Sequence, residues 1–205
     1  MSGSADKLAM VALSHVVQTR RSELMTLRKE LDMVANKQQS SSKRYLITRK
    51  ELDDGLREIN VEETDHEVFD RLFTLFDKTG AGKVHFLELV VGLAPVLNAS
   101  LSDRVRLAFE LTDEDGRGFV DKREMKFLFK ALNSTANFLG DPMLTIEEIE
   151  ELVESLFTSV LDAGSMTEAF PYPDNIEMVT EHPIIDSWLR RAGIETGEAE
   201  GENKD

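Results

Sequence analysis

The chain has 205 residues, with 39 acids against 24 bases and a formal net charge of −15. A phosphate backbone needs a basic face, so this balance argues against nucleic acid as a partner and is compatible with a metal cation or a basic peptide. With no cysteine in the sequence, disulfides, thiolate metal sites and cysteine nucleophiles are excluded as well.

The first periodic segment runs from Ala5 to about Lys37, with Ser4 placed to cap it. Met10, Leu13, Val17, Leu24, Leu27, Leu31 and Val34 recur at spacings of three and four. This is a heptad-like seam on a helix of roughly 30 residues. Two readings stay open: a helix packed on its own domain, or one that projects and pairs with another protein in coiled-coil fashion. A polar break at Gln38 to Lys43 follows, and helical periodicity resumes over Thr48–Ile59 and Asp65–Phe76. A Gly-bearing turn at Asp77–Lys83 then leads into a helix over His85–Leu93 that stops near Pro95.

Ser100 and Asp103 mark the next helix start, and Gly116 and Gly118 punctuate a second loop. Lys122–Asn133 reads as helix, and Asn133–Leu144 as an irregular connection. Thr145 with Glu148 forms a capping box ahead of a helix carrying Ile149, Leu152, Val153, Leu156, Phe157 and Val160 inward. The unit helix, short loop, helix therefore occurs at least twice, with Asp77 and Asp113 opening loops of the same frame.

A twelve-residue loop can wrap calcium when oxygens fall at positions 1, 3, 5, 7, 9 and 12, with Gly at 6 for the turn. In the stretch 113–124, Asp113, Asp115, Asp121 and Glu124 fill positions 1, 3, 9 and 12, and Gly118 stands at 6. Phe119 offers its carbonyl at 7, and Val120 at 8 is placed to pair with another loop. Only Arg117, at 5, lacks a side-chain oxygen, which predicts an affinity of ~10⁻⁶ M or poorer. The stretch 77–88 is poorer. Asp77, Thr79, the Lys83 carbonyl and Glu88 are its candidate ligands, Ala81 is blank, and His85 suits a hard cation badly. It reads as an EF-type loop held by Val84 and mostly without metal. Two further half-motifs are degenerate, one at Ile47 and Glu51 and one within Val160–Phe170. Pairing through the eighth positions predicts Ile47 with Val84 and Val120 with Met166. His15, His66, His85 and His182 have no ligand spacing, and nothing assembles a catalytic constellation.

Phe76–Leu89 and Glu110–Met125 look like EF-hand units, and residues 45–190 resemble the four-unit calcium sensors: neuronal calcium sensors, calcineurin B and plant calcineurin-B-like proteins. Asp70–Asp77, Leu89–Leu93 and Leu107–Leu111 are similar to the calaxin type and to the EF-hand subunit of the outer-dynein-arm docking complex of cilia. The resemblance implies an all-α fold of two tightly linked paired EF-hand lobes with a long N-terminal helix. The expected parts are an N-terminal amphipathic helix over 1–38, lobes over 39–97 and 98–191, and an acidic disordered tail over 192–205. It carries Ca²⁺ ligation to Asp113, Asp115, Phe119, Asp121 and Glu124.

The implied function is that of a regulatory or docking subunit, not an enzyme, that grips a helical segment of a protein partner in a larger complex, an axonemal outer-dynein-arm assembly. The alternatives are a calcineurin-B-like subunit of a phosphatase or kinase, and an EF-hand clamp that does not respond to calcium. No apolar run reaches the ~18 residues that span a bilayer, and Met1-Ser2-Gly3-Ser4 is neither a secretory signal nor a myristoylation site. The expected location is therefore cytoplasmic, at a cilium or flagellum axoneme, with no membrane anchor.

Overall fold

The computed structural model describes residues 17–37, 46–59, 61–162 and 169–191. Helix α1 (Arg21–Lys37) is followed by β1 (Leu46–Thr48), α2 (Arg49–Glu58), α3 (Glu63–Phe76), β2 (Lys83–His85) and α4 (Phe86–Leu93). The second half holds α5 (Leu101–Thr112), α6 (Lys122–Leu139), α7 (Ile146–Asp162), α8 (Ile176–Thr180) and α9 (Pro183–Arg191). The fold is all-α apart from the two short strands. The acidic tail expected over 192–205 and the helix expected over residues 5–16 lie outside the described residues.

Local signals account for most boundaries. Thr48 and Glu51 form a capping box at the start of α2, and Thr145 and Glu148 exchange the same pair of bonds at the start of α7. β1 pairs with β2 antiparallel, with Ile47 opposite Val84, as expected. The other pairing is a correction. Val120 bridges Phe170, not Met166, which lies outside the described residues. Phe170 is fully buried against Phe109 and Phe157, so an aromatic core contact fixes the register four residues later.

The N-terminal helix departs from the expected continuous rod. Residues 17–20 are not helical. The fully buried Asp65 carboxylate accepts the backbone N–H of Gln18 (2.9 Å) and of Thr19 (2.6 Å), together with the Thr19 hydroxyl (2.5 Å). A carboxylate that takes these donors competes directly with the helical ladder. The chain therefore enters α1 only at Arg21. From there, Leu24, Leu27, Leu31 and Ala35 are completely buried, and α1 packs on α2 and α4. Gly55 of α2 is the point of closest approach. A Cβ there would stand 3.1 Å from Leu27 Cδ1 and 3.3 Å from Leu31 Cδ2. Over its described length, then, the seam is used inside the domain, and the projecting reading is set aside for it.

Helix α6 also runs further than its sequence suggests, through Asn133-Ser134-Thr135 to Leu139, and ends at Gly140 in the left-handed region (φ 77°). Tertiary partners satisfy those polar residues. Asn133 bonds both the N–H and the carbonyl of Leu144, and Thr135 donates to the Gly92 carbonyl at 2.9 Å. α4 packs on both α5 and α6, so one continuous apolar core from Val17 to Leu189 joins the two halves.

Candidate metal centre

Helix α5 ends at Asp113, whose N–H still bonds the Phe109 carbonyl at 2.8 Å. The chain then turns through Gly116 (φ 64°) and Gly118 (φ 80°), where a left-handed backbone favours residues without a Cβ. Asp121 caps α6. One of its oxygens accepts the N–H of Arg123 and of Glu124, both at 2.7 Å, and Glu124 returns the bond to the Asp121 N–H at 2.7 Å. Positions 9 and 12 of the loop thus form a capping box.

Asp113 is almost completely buried. Its Oδ2 accepts from the Gly118 N–H at 2.8 Å and from the Tyr172 hydroxyl at 3.1 Å, while Oδ1 has only a long 3.3 Å bond from the Arg117 N–H. Burial pushes the Tyr172 phenol well above its ordinary value, and the neighbouring Asp113 charge and hydrogen bond push it further, so it remains a donor. Burial raises the Glu124 carboxyl too. The Asp121 N–H works against that shift, and the negative charges of Asp121, Asp113 and Asp115 add to it. Arg117, at the blank fifth position, turns its guanidinium onto Asp115 at 3.0 Å.

All five predicted residues therefore sit on one loop between two helices. Four carboxylates and a carbonyl are hard oxygen donors, the chemistry calcium prefers. The field of three acids on Glu124 is what a divalent cation would relieve. In this conformation the acids are occupied elsewhere: Asp121 and Glu124 by the cap, Asp115 by Arg117. Among the described residues no three His, Asp or Glu side chains stand together at metal-ligand separation. Ligation would have to draw Glu124 and Asp115 inward. The donor set fits the ion; its assembled geometry does not pre-exist.

The first loop keeps the frame and closes it differently. Asp77 accepts the N–H of Ala81 (3.0 Å) and Gly82 (2.7 Å) and the Thr79 hydroxyl (3.3 Å). Glu88 is held by Lys78 at 3.2 Å and by the hydroxyl of Ser134 on α6 at 3.0 Å. His85 caps α4 through Nδ1, which accepts the Glu88 N–H at 3.3 Å. Burial lowers the His85 pKa, partly offset by the Glu88 charge, and its ring lies 5.6 Å from that of Phe127. A cleft of about 260 Å³ separates the loops, with His85 and Leu87 on one side and Asp121, Glu124 and Phe127 on the other.

Sequence spacing did not reveal three residues that hold the second loop or the helix leading into it. Tyr172 reaches Asp113 from 59 positions away. Arg28 of α1 donates to the Leu111 carbonyl at 2.7 Å and to the Asp113 carbonyl at 3.3 Å. Arg21 pairs with Glu110 at 2.5 Å. Long-range side-chain contacts of this kind carry no periodic signal.

Helix–loop–helix units paired through their eighth positions define an EF-hand protein. The chain is similar to human calaxin, at 40% identity over 67 residues that cover 33% of this chain and 32% of calaxin. It is also similar to guanylyl cyclase-activating protein 2 of Gallus gallus, at 31% over 104 residues, 48% of this chain and 51% of that protein. The calcium-binding protein NCSA of Dictyostelium discoideum matches at 31% over 68 residues, covering 33% and 37%. The chain spans about a third to half the length of these relatives. No protein-family model matches it. The chain has an EF-hand fold and is similar to EF-hand proteins of the neuronal calcium sensor type. No helix among the described residues is long and apolar enough to cross a membrane.

Proposed function

We propose that the chain is a non-enzymatic calcium-responsive subunit that binds one Ca²⁺ in the loop 113–124 and grips an amphipathic helix of a protein partner. Asp113, Asp115, Asp121 and Glu124 supply carboxylates to the ion, and Phe119 supplies its carbonyl. The observation that carries this reading is the Asp113 carboxylate, buried and oriented through Oδ2 while Oδ1 holds a single long bond. The ion would draw Glu124, in the first turn of α6, toward the loop.

Phe73, Phe76, Phe109, Phe129 and Phe157, on the helices that would form such a groove, are all buried here. A partner helix therefore needs the groove to open, the response known for calcium-sensing EF-hands. The net charge of −15 suits a basic helix, although Glu148, Glu150 and Glu154 of the acidic α7 face are already paired with Arg191, Lys126 and Lys122. Likeness to the calaxin type supports a place in a ciliary or flagellar axonemal assembly of the outer dynein arm, in the cytoplasmic compartment.

Calorimetry with calcium on the full chain tests the site. One ion per chain is expected; Glu124→Gln removes it and Asp77→Ala leaves it. The opposite pattern would move the site to the first loop. Affinity purification of the tagged protein with and without calcium tests the partner. A second reading, a clamp indifferent to calcium, is favoured by the capping box and the Arg117–Asp115 pair that satisfy three of the four acids internally. An identical set of captured partners in both conditions would support that reading instead.

A further inference from the structure

The fourth unit is degenerate in sequence, yet residues 170–173 touch the loop 113–124 at three of its frame positions. Phe170 pairs with Val120 at position 8, its N–H bonding the Val120 carbonyl at 2.8 Å. Pro173 lies against Gly118 at position 6, with Cγ 3.3 Å from where a Cβ would be. Tyr172, 5% exposed, donates to Asp113 at position 1. The phenol is itself held in place. Its ring stacks on Phe109 at 5.3 Å, with the planes within 8° of each other, and Phe109 sits on α5 one turn before Asp113. The donor thus approaches the carboxylate from a direction that α5 and the 170–173 segment fix together.

A carboxylate turns easily about its terminal torsion, which is broad and two-fold. Gly118 N–H and Tyr172 Oη–H both hold the same oxygen, Oδ2. The other oxygen is left with lone pairs for a cation. Outer partners of this kind orient ligands, and their loss typically costs about 10–100-fold in metal affinity.

We propose that Tyr172 is a positioning residue of the calcium loop: its hydroxyl holds Asp113 Oδ2 so that Oδ1 is presented to the ion. The inference rests on the site proposed in loop 113–124. It explains what the fourth unit contributes, namely a rigid backing with one aimed hydroxyl. The side chain touches the ligand and not the metal, so its effect should appear in affinity and not in stoichiometry.

Tyr172→Phe keeps the stack on Phe109 and removes only the hydroxyl. Calorimetry with calcium alone on the full chain should show about tenfold weaker binding, still one ion per chain, while the metal-free melting temperature stays close to that of the parent. A spectroscopic readout separates positioning from packing. Calcium draws charge from Asp113 and makes it a weaker acceptor, so the tyrosine absorption band of the parent should shift to shorter wavelength on calcium addition. That shift should be missing in Tyr172→Phe. Unchanged affinity in Tyr172→Phe would overturn the inference alone, as would a loss of affinity that only tracks a loss of metal-free stability. No calcium binding by the parent, or binding that survives Glu124→Gln, would overturn the site itself and the inference with it.

Discussion

The loops 77–88 and 113–124 share Asp at the first position, Gly at the sixth, Val at the eighth and Glu at the twelfth. They differ in what holds the twelfth residue. Glu88 is tied outward, to Lys78 and to Ser134 of another helix. Glu124 is tied only to the backbone of its own cap and sits in the field of three loop acids. The same contrast appears at position 9, where His85 and Asp121 cap their helices alike, but only Asp121 leaves a hard oxygen at the loop. A frame of Gly and Val maintains the turn and the strand pairing. Whether the turn can also close on an ion depends on which partners its acids already have.

The comparison is hardest to sustain if the two halves are separable, and the largest expected effect tests that. Deleting residues 1–38 removes Leu24, Leu27 and Leu31, each worth roughly 1.5–3 kcal/mol of burial, along with the Asp65 latch and the Arg28 bonds to the second loop. Against a typical total stability of about 5–15 kcal/mol, the truncated chain should unfold or melt far lower by circular dichroism. A truncated chain that stays folded and binds calcium normally would restore the projecting helix.

The same substitution at position 5 sharpens the contrast between the loops. Arg117→Asp releases Asp115, removes a cation and adds an oxygen, so calcium should bind about tenfold tighter, near 1.4 kcal/mol. Ala81→Asp in the first loop should add no second ion, because Lys78 and Ser134 still hold Glu88. A second equivalent of calcium in Ala81→Asp by calorimetry would show that the Glu88 anchors do not decide occupancy.

The smallest effect concerns pH. The Glu124 carboxyl is raised in the folded state, so that state holds its proton more tightly than the unfolded chain does. Stability is therefore lost as pH rises from the ordinary glutamate value through the raised one, and the penalty persists at neutral pH. Metal-free Glu124→Gln should then melt slightly higher than the parent at neutral pH, by less than about 1 kcal/mol for so partly solvated a group. The gain should vanish near pH 4, where the parent carboxyl is protonated as well. A higher melting temperature that persists at pH 4 would point to a change in the cap and not in charge.

Much of the molecule follows from sequence periodicity and turn chemistry. The frame of both loops, the glycines at their turns, the capping box at Thr145 and the Ile47–Val84 pairing are short-range or repeat-encoded. They were legible because each depends on residues a few positions apart, or on one unit copying another. The break in the N-terminal helix was not, because Asp65 claims the donors of Gln18 and Thr19 from 47 and 46 positions away. Nor was the continuation of α6, where Asn133 and Thr135 look like helix breakers until Leu144 and Gly92 satisfy them.

The sequence by itself therefore determined an EF-hand protein with one loop rich in oxygen donors and one poor. Tertiary structure decided that α1 belongs to the core and that Phe170, not Met166, partners Val120. It also decided that Tyr172 aims Asp113 and that Lys78 and Ser134 hold Glu88. The physical reason is the same in each case. A buried polar group must find a partner wherever the fold supplies one, and that partner is chosen by packing in three dimensions and not by spacing along the chain.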